Sequence, residues 1–277
     1  MTSGATTAAV VVALGAGLVA AVLYQRTRRP ALEAMPHQVG GHACEQTSMK
    51  LLDGRLLKPF QSKNRGEREW AFYVVAQNDV ALRPFLPAFD GDVTLAGRRY
   101  IQLENLLHGM VHPCIMDIKM GTKSYEPNAS AAKVEEESRK FPLQATVGFR
   151  LQAIKVYDVD ANAYTSYDKY HCRTLQTLDE VRGGLDTFFT SPEIRDAVVP
   201  QILGNLAALQ TYFDTNERYH FIASSLLFVY DAAAPSTRCD VRLIDFAHIQ
   251  MDVSTRDDGL CTGLRSLTSL FESLLAA

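Results

Sequence analysis

The sequence predicts an α+β protein with two lobes, in which a small N-terminal sheet precedes a larger region of mixed helices and strands. Short strand patterns and one amphipathic helix occupy the chain up to residue 107, and long helical patterns alternate with buried strands beyond it. This change in pattern predicts two packed units. The 277 residues, of which 47% are hydrophobic and 21% charged, are enough to build both.

Residues 49–58 form the first predicted element of the small sheet, a β-hairpin. Asp53 and Gly54 stand between two apolar runs, and an Asp-Gly pair in that position favours a tight primed turn. Lys58 ends the second strand of the hairpin. Residues 100–107 are predicted as a further strand that runs into a connection.

A helix is predicted over residues 67–76, between these two strand regions. Its apolar residues, beginning with Trp70, Tyr73 and Val74, recur at helical spacing. We therefore expect one helix to pack against the N-terminal sheet.

The larger region carries alternating helix and strand patterns. Asn128 or Ser130 is a candidate N-cap for its first helix, and Ser191 with Pro192 begins its longest one. The predicted helices span residues 130–140, 193–213 and 263–275, and the predicted strands span residues 149–157, 164–173, 225–230 and 241–245.

The stretch of residues 113–121 is an unusual strand. Neighbouring side chains of a strand point to opposite faces, so Asp117 and Lys119 project from one face and apolar side chains from the other. An acid and a base on one face suit the floor of a polar cleft, where Gly121 lets the backbone turn. The alternative is an Asp–Lys pair at the surface.

Asp245 ends a predicted apolar strand, and a turn follows it. A buried carboxylate in that position is costly unless it meets a cation, and a hard divalent ion such as Mg²⁺ takes oxygen ligands. Ser225, at the head of the partner strand, would bring a hydroxyl to the same point. The alternative is an ordinary capping aspartate.

Four features of the sequence together match the requirements of phosphoryl transfer. They are Lys58, a linking segment around Glu104, the pair of Asp117 and Lys119, and Asp245. That reaction needs a lysine on nucleotide phosphates, a segment that meets adenine, a polar group at the nucleophile and an acid on Mg²⁺. The sequence has no Walker A motif and none of the glycine-rich or His-Arg-Asp motifs of protein kinases, so neither of those classes is supported.

Residues 113–121, with the sequence PCIMDIKMG, resemble the P-x-x-x-D-x-K-x-G signature of the inositol polyphosphate kinase family. The resemblance runs from about residue 37 to residue 275, in the family's motif order. Its further motifs are HQVGGH (37–42), LKP (57–59), GTKSYEPNAS (121–130), ASSLLFVY (223–230), IDFAH (244–248) and DDGLCTGL (257–264).

The resemblance implies a two-lobed, protein-kinase-like α+β fold of the ATP-grasp and SAICAR-synthase type, with ATP between the lobes. It implies an ATP-binding N-lobe over residues 31–108 and a C-lobe over residues 109–277, in which a helix at 130–141 binds the inositol phosphate. Monomers in the cytoplasm or nucleus are expected, with ATP and Mg²⁺ as cofactors.

Within the family, the motifs SYEPNAS, KFPL (140–143) and ASSLLFVY are most similar to those of the inositol polyphosphate multikinases. This implies ATP-dependent phosphorylation of hydroxyls on inositol tris- and tetrakisphosphates. Two alternatives stay open: an inositol hexakisphosphate kinase that makes pyrophosphates, and a membrane-anchored pseudokinase that binds inositol phosphates or phosphoinositide headgroups without turnover.

On the nucleotide side, the resemblance assigns Lys58 to the ATP phosphates. Glu104 and Leu106 would offer backbone groups to adenine, and Asp245 would bind Mg²⁺ with help from Ser225. Asp117 would lie beside the ribose and the reacting hydroxyl.

On the substrate side, the resemblance assigns Lys119 to a substrate phosphate and to the transferring phosphoryl group. His248 would lie near the reacting end of the inositol. A basic patch would hold the remaining phosphates, and its residues are Arg65, Lys133, Lys140 and Lys169. A ring with several phosphates needs such clustered cations, which a chain of net charge −3 supplies only locally.

Three residues depart from the multikinase pattern. Glu136 and Glu137 stand where multikinases tend to have glutamine, and carboxylates there would repel a phosphate-rich ligand unless they pair with Lys133 and Lys140 or point away. Cys172 replaces the usual glycine. The helix itself is also open to a second interpretation, a solvated helix with internal ion pairs.

Charge and cysteine content exclude other classes. The net charge of −3 gives no general reason to bind nucleic acid. The five cysteines are scattered without a Cys-x-x-Cys pair, which favours reduced thiols in a cytosolic-type compartment over disulfides or a zinc site.

Residues 1–30 differ from the rest of the chain. Residues 5–24 carry no charged side chain and are followed by Arg26, Arg28 and Arg29. About 20 apolar residues can cross a bilayer, and the basic flank would keep the following chain on the cytoplasmic side. The segment is therefore predicted to be a membrane anchor or, since it is rich in alanine and glycine, a signal or transit peptide.

Overall fold

Two antiparallel sheets of five strands each organise the computed structural model, which describes residues 32–39 and 48–276. The first sheet has the spatial order β1-β2-β3-β5-β4. Its strands are β1 (Glu33–Ala34), β2 (Lys50–Leu52), β3 (Arg55–Pro59), β4 (Phe89–Leu95) and β5 (Arg98–Glu104).

The second sheet has the order β11-β10-β6-β7-β8, so that β6 lies at its centre. Two short strands, β9 and β12, form a separate ribbon. The strands are β6 (Pro113–Met120), β7 (Phe149–Asp158), β8 (Ala163–Tyr167), β9 (Tyr219–His220), β10 (Ser225–Asp231), β11 (Cys239–Ile244) and β12 (Gln250–Met251). The two sheets and their helices form the predicted two-lobed α+β fold.

One long helix accompanies the first sheet, and the remaining helices follow β6 in the chain. A 3₁₀ turn at Arg83–Phe85 precedes β4. The α-helices are α1 (Arg65–Ala76), α2 (Ala131–Lys140), α3 (Gln144–Val147), α4 (Lys169–Cys172), α5 (Leu178–Asp186), α6 (Pro192–Thr215) and α7 (Asp258–Leu275). The predicted long helix at 193–213 is confirmed as α6, capped by Ser191.

The hairpin predicted at residues 49–58 is confirmed as β2 and β3. Both turn residues have positive φ angles, 49° at Asp53 and 77° at Gly54. A primed turn requires this backbone conformation at both central residues, and glycine adopts it without steric cost. The turn fixes the register that brings Lys58 to the end of β3.

Helix α1 is confirmed, but its core face is only partly the predicted one: of the three predicted residues, Tyr73 is buried and Trp70 is partly buried against the core. The buried stripe is Glu69, Phe72, Tyr73 and Ala76, whereas Val74 is 39% exposed. Positions i, i+3, i+4 and i+7 share one helix face. By this spacing the buried face begins at Glu69. The pattern of apolar residues did not indicate that face, because Glu69 is an acid.

The strand predicted over residues 164–173 is correct only in its first part. β8 ends at Tyr167, and Asp168 then caps helix α4 by accepting hydrogen bonds of 3.0 Å from the backbone N–H groups of Tyr170 and His171. An aspartate at an N-cap turns the chain from strand into helix. As a result Lys169 and Cys172 are helical, and a glycine is not needed at position 172.

The last helix begins earlier than the predicted residue 263. Asp257 caps it by accepting a hydrogen bond of 2.9 Å from the N–H of Leu260. The rest of the predicted helix is confirmed, and its apolar residues face the core: Leu264, Leu267, Phe271 and Leu274 are buried, and Leu270 is partly buried.

The backbone of α7 touches the start of β7. A Cβ atom at Gly263 would lie 2.2 Å from the carbonyl oxygen of Gly148 and 2.8 Å from the methyl group of Met120. Only glycine permits this approach, which holds the last helix directly against the end of β6.

The predicted membrane anchor at residues 5–24 and the end of the HQVGGH motif lie outside the described residues. Among the helices of residues 32–39 and 48–276, none has the length and apolar character needed to cross a bilayer.

Candidate active site

Asp117 and Lys119 lie on the central strand of the second sheet, on the face that lines the cleft. Lys119 is paired in register with Ser225 of β10 on one side and with Arg150 of β7 on the other. Asp117 is only 8% exposed. The alternative of an Asp–Lys pair at the surface is therefore wrong.

The environment of this pair shifts both protonation equilibria. Burial, reinforced by the nearby carboxylate of Asp245, raises the pKa of Asp117 to about 6, although Lys119 acts in the opposite direction. Burial also lowers the pKa of Lys119, whose Nζ donates a hydrogen bond of 2.8 Å to the carbonyl of Ala223. Groups with such shifts in a cleft are typical of functional sites.

Lys58 and Asp245 bring the two sheets together. Lys58 Nζ lies 2.7 Å from Glu69 Oε1 and 2.5 Å from Asp245 Oδ1. Burial opposes the charge of Lys58, but the two carboxylates outweigh it and raise its pKa. The ammonium group is thus charged and points to the boundary between the lobes.

Glu69 is a residue that the sequence analysis missed. It lies on α1, is 1% exposed, and accepts a second hydrogen bond of 3.2 Å from the N–H of Phe246. Burial raises its pKa. An acid in an otherwise apolar helix stripe was the signal in the sequence, because such a residue requires a buried partner.

Asp245 follows β11 in a left-handed backbone conformation, with φ 67°. A non-glycine residue pays a strain of roughly 1 kcal/mol or more for this conformation. Although partial burial acts in the opposite direction, the ammonium of Lys58 holds the pKa of Asp245, whose side chain is 43% exposed, below its usual value. The carboxylate is therefore ionised and aimed at the cleft by its backbone.

Oxygen atoms around Asp245 fit a hard divalent cation. Asp117 Oδ1 and Ser225 Oγ are buried, and they supply a carboxylate and a hydroxyl oxygen close to Asp245, where the Ser225 hydroxyl acts to lower the pKa of Asp117. Within the described residues, no three His, Cys, Asp or Glu side chains cluster as a metal site. Mg²⁺ prefers a coordination sphere in which a few protein oxygens are combined with phosphate and water oxygens.

A narrow apolar cavity of about 80 Å³ lies between the two sheets and is lined by every predicted nucleotide residue apart from Asp117 and Ser225, which line the neighbouring cavity. We call it the apolar cavity. Its lining includes Lys58, Tyr73, Leu103, Glu104, Leu106, Ile115, Leu227, Ile244 and Asp245. Apolar walls with a lysine and an acid at one end suit a flat heterocycle that carries phosphates.

A wider cavity of about 580 Å³ adjoins it, and we call it the cationic cavity. The structure brings all the predicted substrate residues together here. Its lining includes Arg65, Asp117, Lys119, Lys133, Glu137, Lys140, Arg150, Lys169, Arg173, Ser225, Asp245 and His248. Asp245 lines both cavities.

Two arginines of the cationic cavity were missed in the sequence. Arg150 is 2% exposed, and its Nε and Nη1 atoms, like Nε of Arg173, are buried without a hydrogen-bond partner. Burial lowers the pKa of Arg150. Because an unpaired buried guanidinium is costly, these nitrogens indicate an anionic ligand. In the sequence, the signal for Arg150 was its position as a charged residue between apolar neighbours in a predicted strand, FRL.

His248 is held by a contact that joins the two lobes. Glu126 Oε1 lies 2.7 Å from His248 Nδ1 and also accepts a hydrogen bond of 2.6 Å from Arg68 of α1. The carboxylate fixes the orientation of the imidazole ring, as acids beside functional histidines commonly do.

Helix α2 begins at the N-cap Ser130, not at Asn128, and its internal ion pairs are confirmed. Lys133 and Lys140 each contact Glu136 and Glu137 at distances between 2.6 and 3.2 Å. The helix is nevertheless more than a solvated surface element, because both lysines also line the cationic cavity.

Comparison with known proteins agrees with this geometry. The chain is 33% identical over 217 residues to the human inositol polyphosphate multikinase, covering 73% of this chain and 52% of that one. It is 28% identical to inositol polyphosphate multikinase alpha of Arabidopsis thaliana, covering 88% of this chain and 96% of the relative. The chain thus spans about half the length of the human relative.

A solved structure has the same fold. The inositol phosphate multikinase Ipk2 of S. cerevisiae, in complex with ADP and Mn²⁺, superposes with a TM-score of 0.69 at 24% identity, covering 80% of this chain and 99% of that one. The family model described as inositol polyphosphate kinase matches residues 100–272. The chain belongs to the inositol polyphosphate kinase family.

Proposed function

We propose that this chain transfers the γ-phosphoryl group of ATP to a hydroxyl of an inositol polyphosphate, such as an inositol tris- or tetrakisphosphate. The observation that carries the proposal is the position of Asp245 in the wall of both cavities. An apolar site and a cationic site that share one ionised acid suit a nucleotide and a phosphate-rich acceptor that meet at a divalent ion.

On the nucleotide side, Lys58 would contact the ATP phosphates from the mouth of the apolar cavity. Its ion pair with Glu69 holds the ammonium in place, as the lysine–glutamate pair of protein kinases does. Backbone groups around Glu104 and Leu106, which line the same cavity, would meet adenine. The ADP in the structure of the yeast relative supports a nucleotide as one of the ligands.

Asp245 and Ser225 would hold the metal. We propose Mg²⁺ as the ion in this chain, because their oxygen atoms, together with phosphate and water oxygens, suit it. The Mn²⁺ in the structure of the yeast relative supports a divalent ion as a cofactor. The bound ion supplies neutralisation of charge on the phosphates.

In the transfer itself, the hydroxyl oxygen forms a bond to the γ-phosphorus as the bond to the ADP oxygen breaks. Lys119 would offset the charge on the moving group, since it lines the cationic cavity close enough to Asp245 to lower the pKa of that acid. Asp117 would orient the hydroxyl and take up its proton. Its pKa of about 6 suits that role better than the usual value of an aspartate.

The basic side chains of the cationic cavity would bind the remaining phosphates and the ring. They are Arg65, Lys133, Lys140, Lys169 and His248, together with Arg150 and Arg173. Their common cavity supports this role, since clustered cations are what a polyanionic ring requires. The presence of Lys58, Asp117, Lys119 and Asp245 in one cleft speaks against the pseudokinase alternative.

Incubation of the purified chain with ATP, Mg²⁺ and a panel of inositol phosphates tests the proposal. We expect ADP and a product with one additional phosphate from inositol trisphosphate or tetrakisphosphate. The proposal is wrong if no member of the panel is phosphorylated. A pyrophosphate formed on inositol hexakisphosphate alone would establish the alternative within the same family.

We propose in addition a division into an N-lobe at 31–108 and a C-lobe at 109–277, which the separation of the two sheets supports. A monomeric state and an anchoring role for residues 5–24 stay predictions. Sedimentation with membranes of the full chain, compared with a chain lacking residues 1–29, tests the anchor.

A further inference from the structure

Glu137 is an acid inside a cavity that is otherwise suited to anions. It lies on the second turn of α2 and lines the cationic cavity. Its side chain is 10% exposed. A carboxylate with little exposure in such a wall faces the ligand that enters, and the proposed substrate carries phosphates of the same sign.

Three cations of the cavity surround this carboxylate. Glu137 Oε1 lies 2.8 Å from Lys133 Nζ and 2.6 Å from Lys140 Nζ. The other oxygen, Oε2, lies 3.8 Å from Arg150 Nη2, beyond hydrogen-bond distance. Glu137 therefore neutralises part of the positive charge that these three side chains present to a ligand.

Glu137 is ionised under ordinary conditions. Burial acts to raise its pKa, but the hydrogen bonds from Lys133 and Lys140 outweigh it and hold the pKa below the usual value. An ionised carboxylate only accepts hydrogen bonds. It can therefore accept one from a hydroxyl group, whereas a phosphate in the same place presents only acceptors and a like charge.

The contrast with Glu136 shows that Glu137 is specifically placed. Glu136 contacts the same two lysines, Lys133 at 3.2 Å and Lys140 at 3.0 Å. Its side chain is 57% exposed, and it points to solvent at the rim. The two acids thus share partners and differ in whether they face the cavity.

We propose that Glu137 determines specificity by accepting a hydrogen bond from a free ring hydroxyl and repelling a phosphate at that position. The substrate class that follows is a partly phosphorylated inositol with a free hydroxyl toward α2, and the fully phosphorylated ring is disfavoured. This inference rests on the proposed function, because it concerns the acceptor of the same site.

The test compares Glu137→Gln with Glu136→Gln in the full chain. For each variant, KM for inositol trisphosphate is measured with ATP and Mg²⁺, and Ki is measured for inositol hexakisphosphate as a competitor. Glu137→Gln removes the charge and keeps the shape, so we expect Ki for the hexakisphosphate to fall about tenfold or more. Glu137→Asp keeps the charge and should leave the hexakisphosphate weakly bound.

Glu136→Gln removes the same charge at the rim and should change Ki less than about twofold, because exposed pairs are screened. An unchanged Ki in Glu137→Gln overturns the inference. Equal shifts in both glutamine variants overturn it as well, since they would reflect net charge alone.

Direct titration of inositol hexakisphosphate by calorimetry separates this inference from the proposed function. If the wild-type chain phosphorylates nothing, the proposed function fails, and the calorimetric affinities of the variants still test Glu137. Melting temperatures confirm that each variant is folded.

Discussion

Lys58 Nζ and Asp245 Oδ1 lie 2.5 Å apart, although one belongs to the first sheet and the other follows the last strand of the second. Their contact is one electrostatic link between the two lobes at the cleft, and the contact of Arg68 with Glu126 is another. A ligand that enters beside Lys58 and Asp245 must share both charges.

Asp245→Ala and Lys119→Ala should each abolish phosphate transfer from ATP to inositol trisphosphate. Each removes a charge that the proposed transition state requires, and we expect a loss of at least about a hundredfold in kcat. A coupled assay for ADP measures the loss, and circular dichroism establishes that the variants are folded. Normal turnover by both variants would show that the site has been assigned to the wrong residues.

Glu69→Gln should raise KM for ATP about tenfold or more, because Lys58 loses the partner that orients it toward the phosphates. It should also lower the free energy of unfolding by about 1–3 kcal/mol, since a buried ion pair is broken on one side. Initial-rate kinetics and urea unfolding measure the two effects.

Glu67→Gln is the matched control on the same helix. Glu67 pairs with Arg99 in solvent, and exposed pairs contribute roughly 0–1 kcal/mol. Equal effects of the two substitutions would contradict a specific role of Glu69.

Glu126→Gln should raise KM for the inositol phosphate several-fold and leave KM for ATP nearly unchanged. The substitution weakens the hold on His248, which lines the cationic cavity, and leaves the apolar cavity intact. Glu135→Gln, an exposed partner of Arg139, serves as the control. A rise in KM for ATP alone would contradict the assignment of His248 to the acceptor.

Asp231→Asn should destabilise the chain by about 2–3 kcal/mol at pH 7. Asp231 is buried and accepts hydrogen bonds from the N–H groups of Val111, His112 and Ala233 at 2.8–3.1 Å. Despite its burial, these bonds hold its pKa below the usual value. In the variant, the amide nitrogen is itself a hydrogen-bond donor and would face the backbone N–H donors that the carboxylate now accepts from.

The pH dependence of this effect follows from the sign of the shift. A depressed folded-state pKa gives stability that is present above the unfolded pKa of about 3.9 and is lost as pH falls through the folded value. The difference in melting temperature between wild type and Asp231→Asn should therefore shrink below about pH 4. A constant difference down to pH 2 would contradict the role of the charge.

Elements with strong local patterns were predictable from the sequence. The hairpin at Asp53 and Gly54, the central strand with Asp117 and Lys119, and the long helix α6 each carry their own turn, alternation or cap. The resemblance to the family supplied the remaining site residues, and the structure gathers them at two adjoining cavities.

What the sequence did not reveal depends on contacts between distant segments. The role of Glu69 requires a partner on β3, and the importance of Arg150 depends on the neighbouring strand that carries Lys119. Neither relationship leaves a periodic signal. The strand predicted through residue 173 was wrong beyond Tyr167, because the two capping hydrogen bonds at Asp168 outweigh a weak strand propensity.

The contact between Gly148 and Gly263 has a consequence for how this chain can vary. A methyl group at either position would push α7 away from β7, and at position 263 it would also displace Met120, the neighbour of Lys119 in the chain. The Met120 methyl is the end of a flexible side chain and can move aside, so the costly contact is the one between the backbones of Gly148 and Gly263. Neither glycine can be replaced unless α7 and the start of β7 move apart, so we expect both positions to vary little.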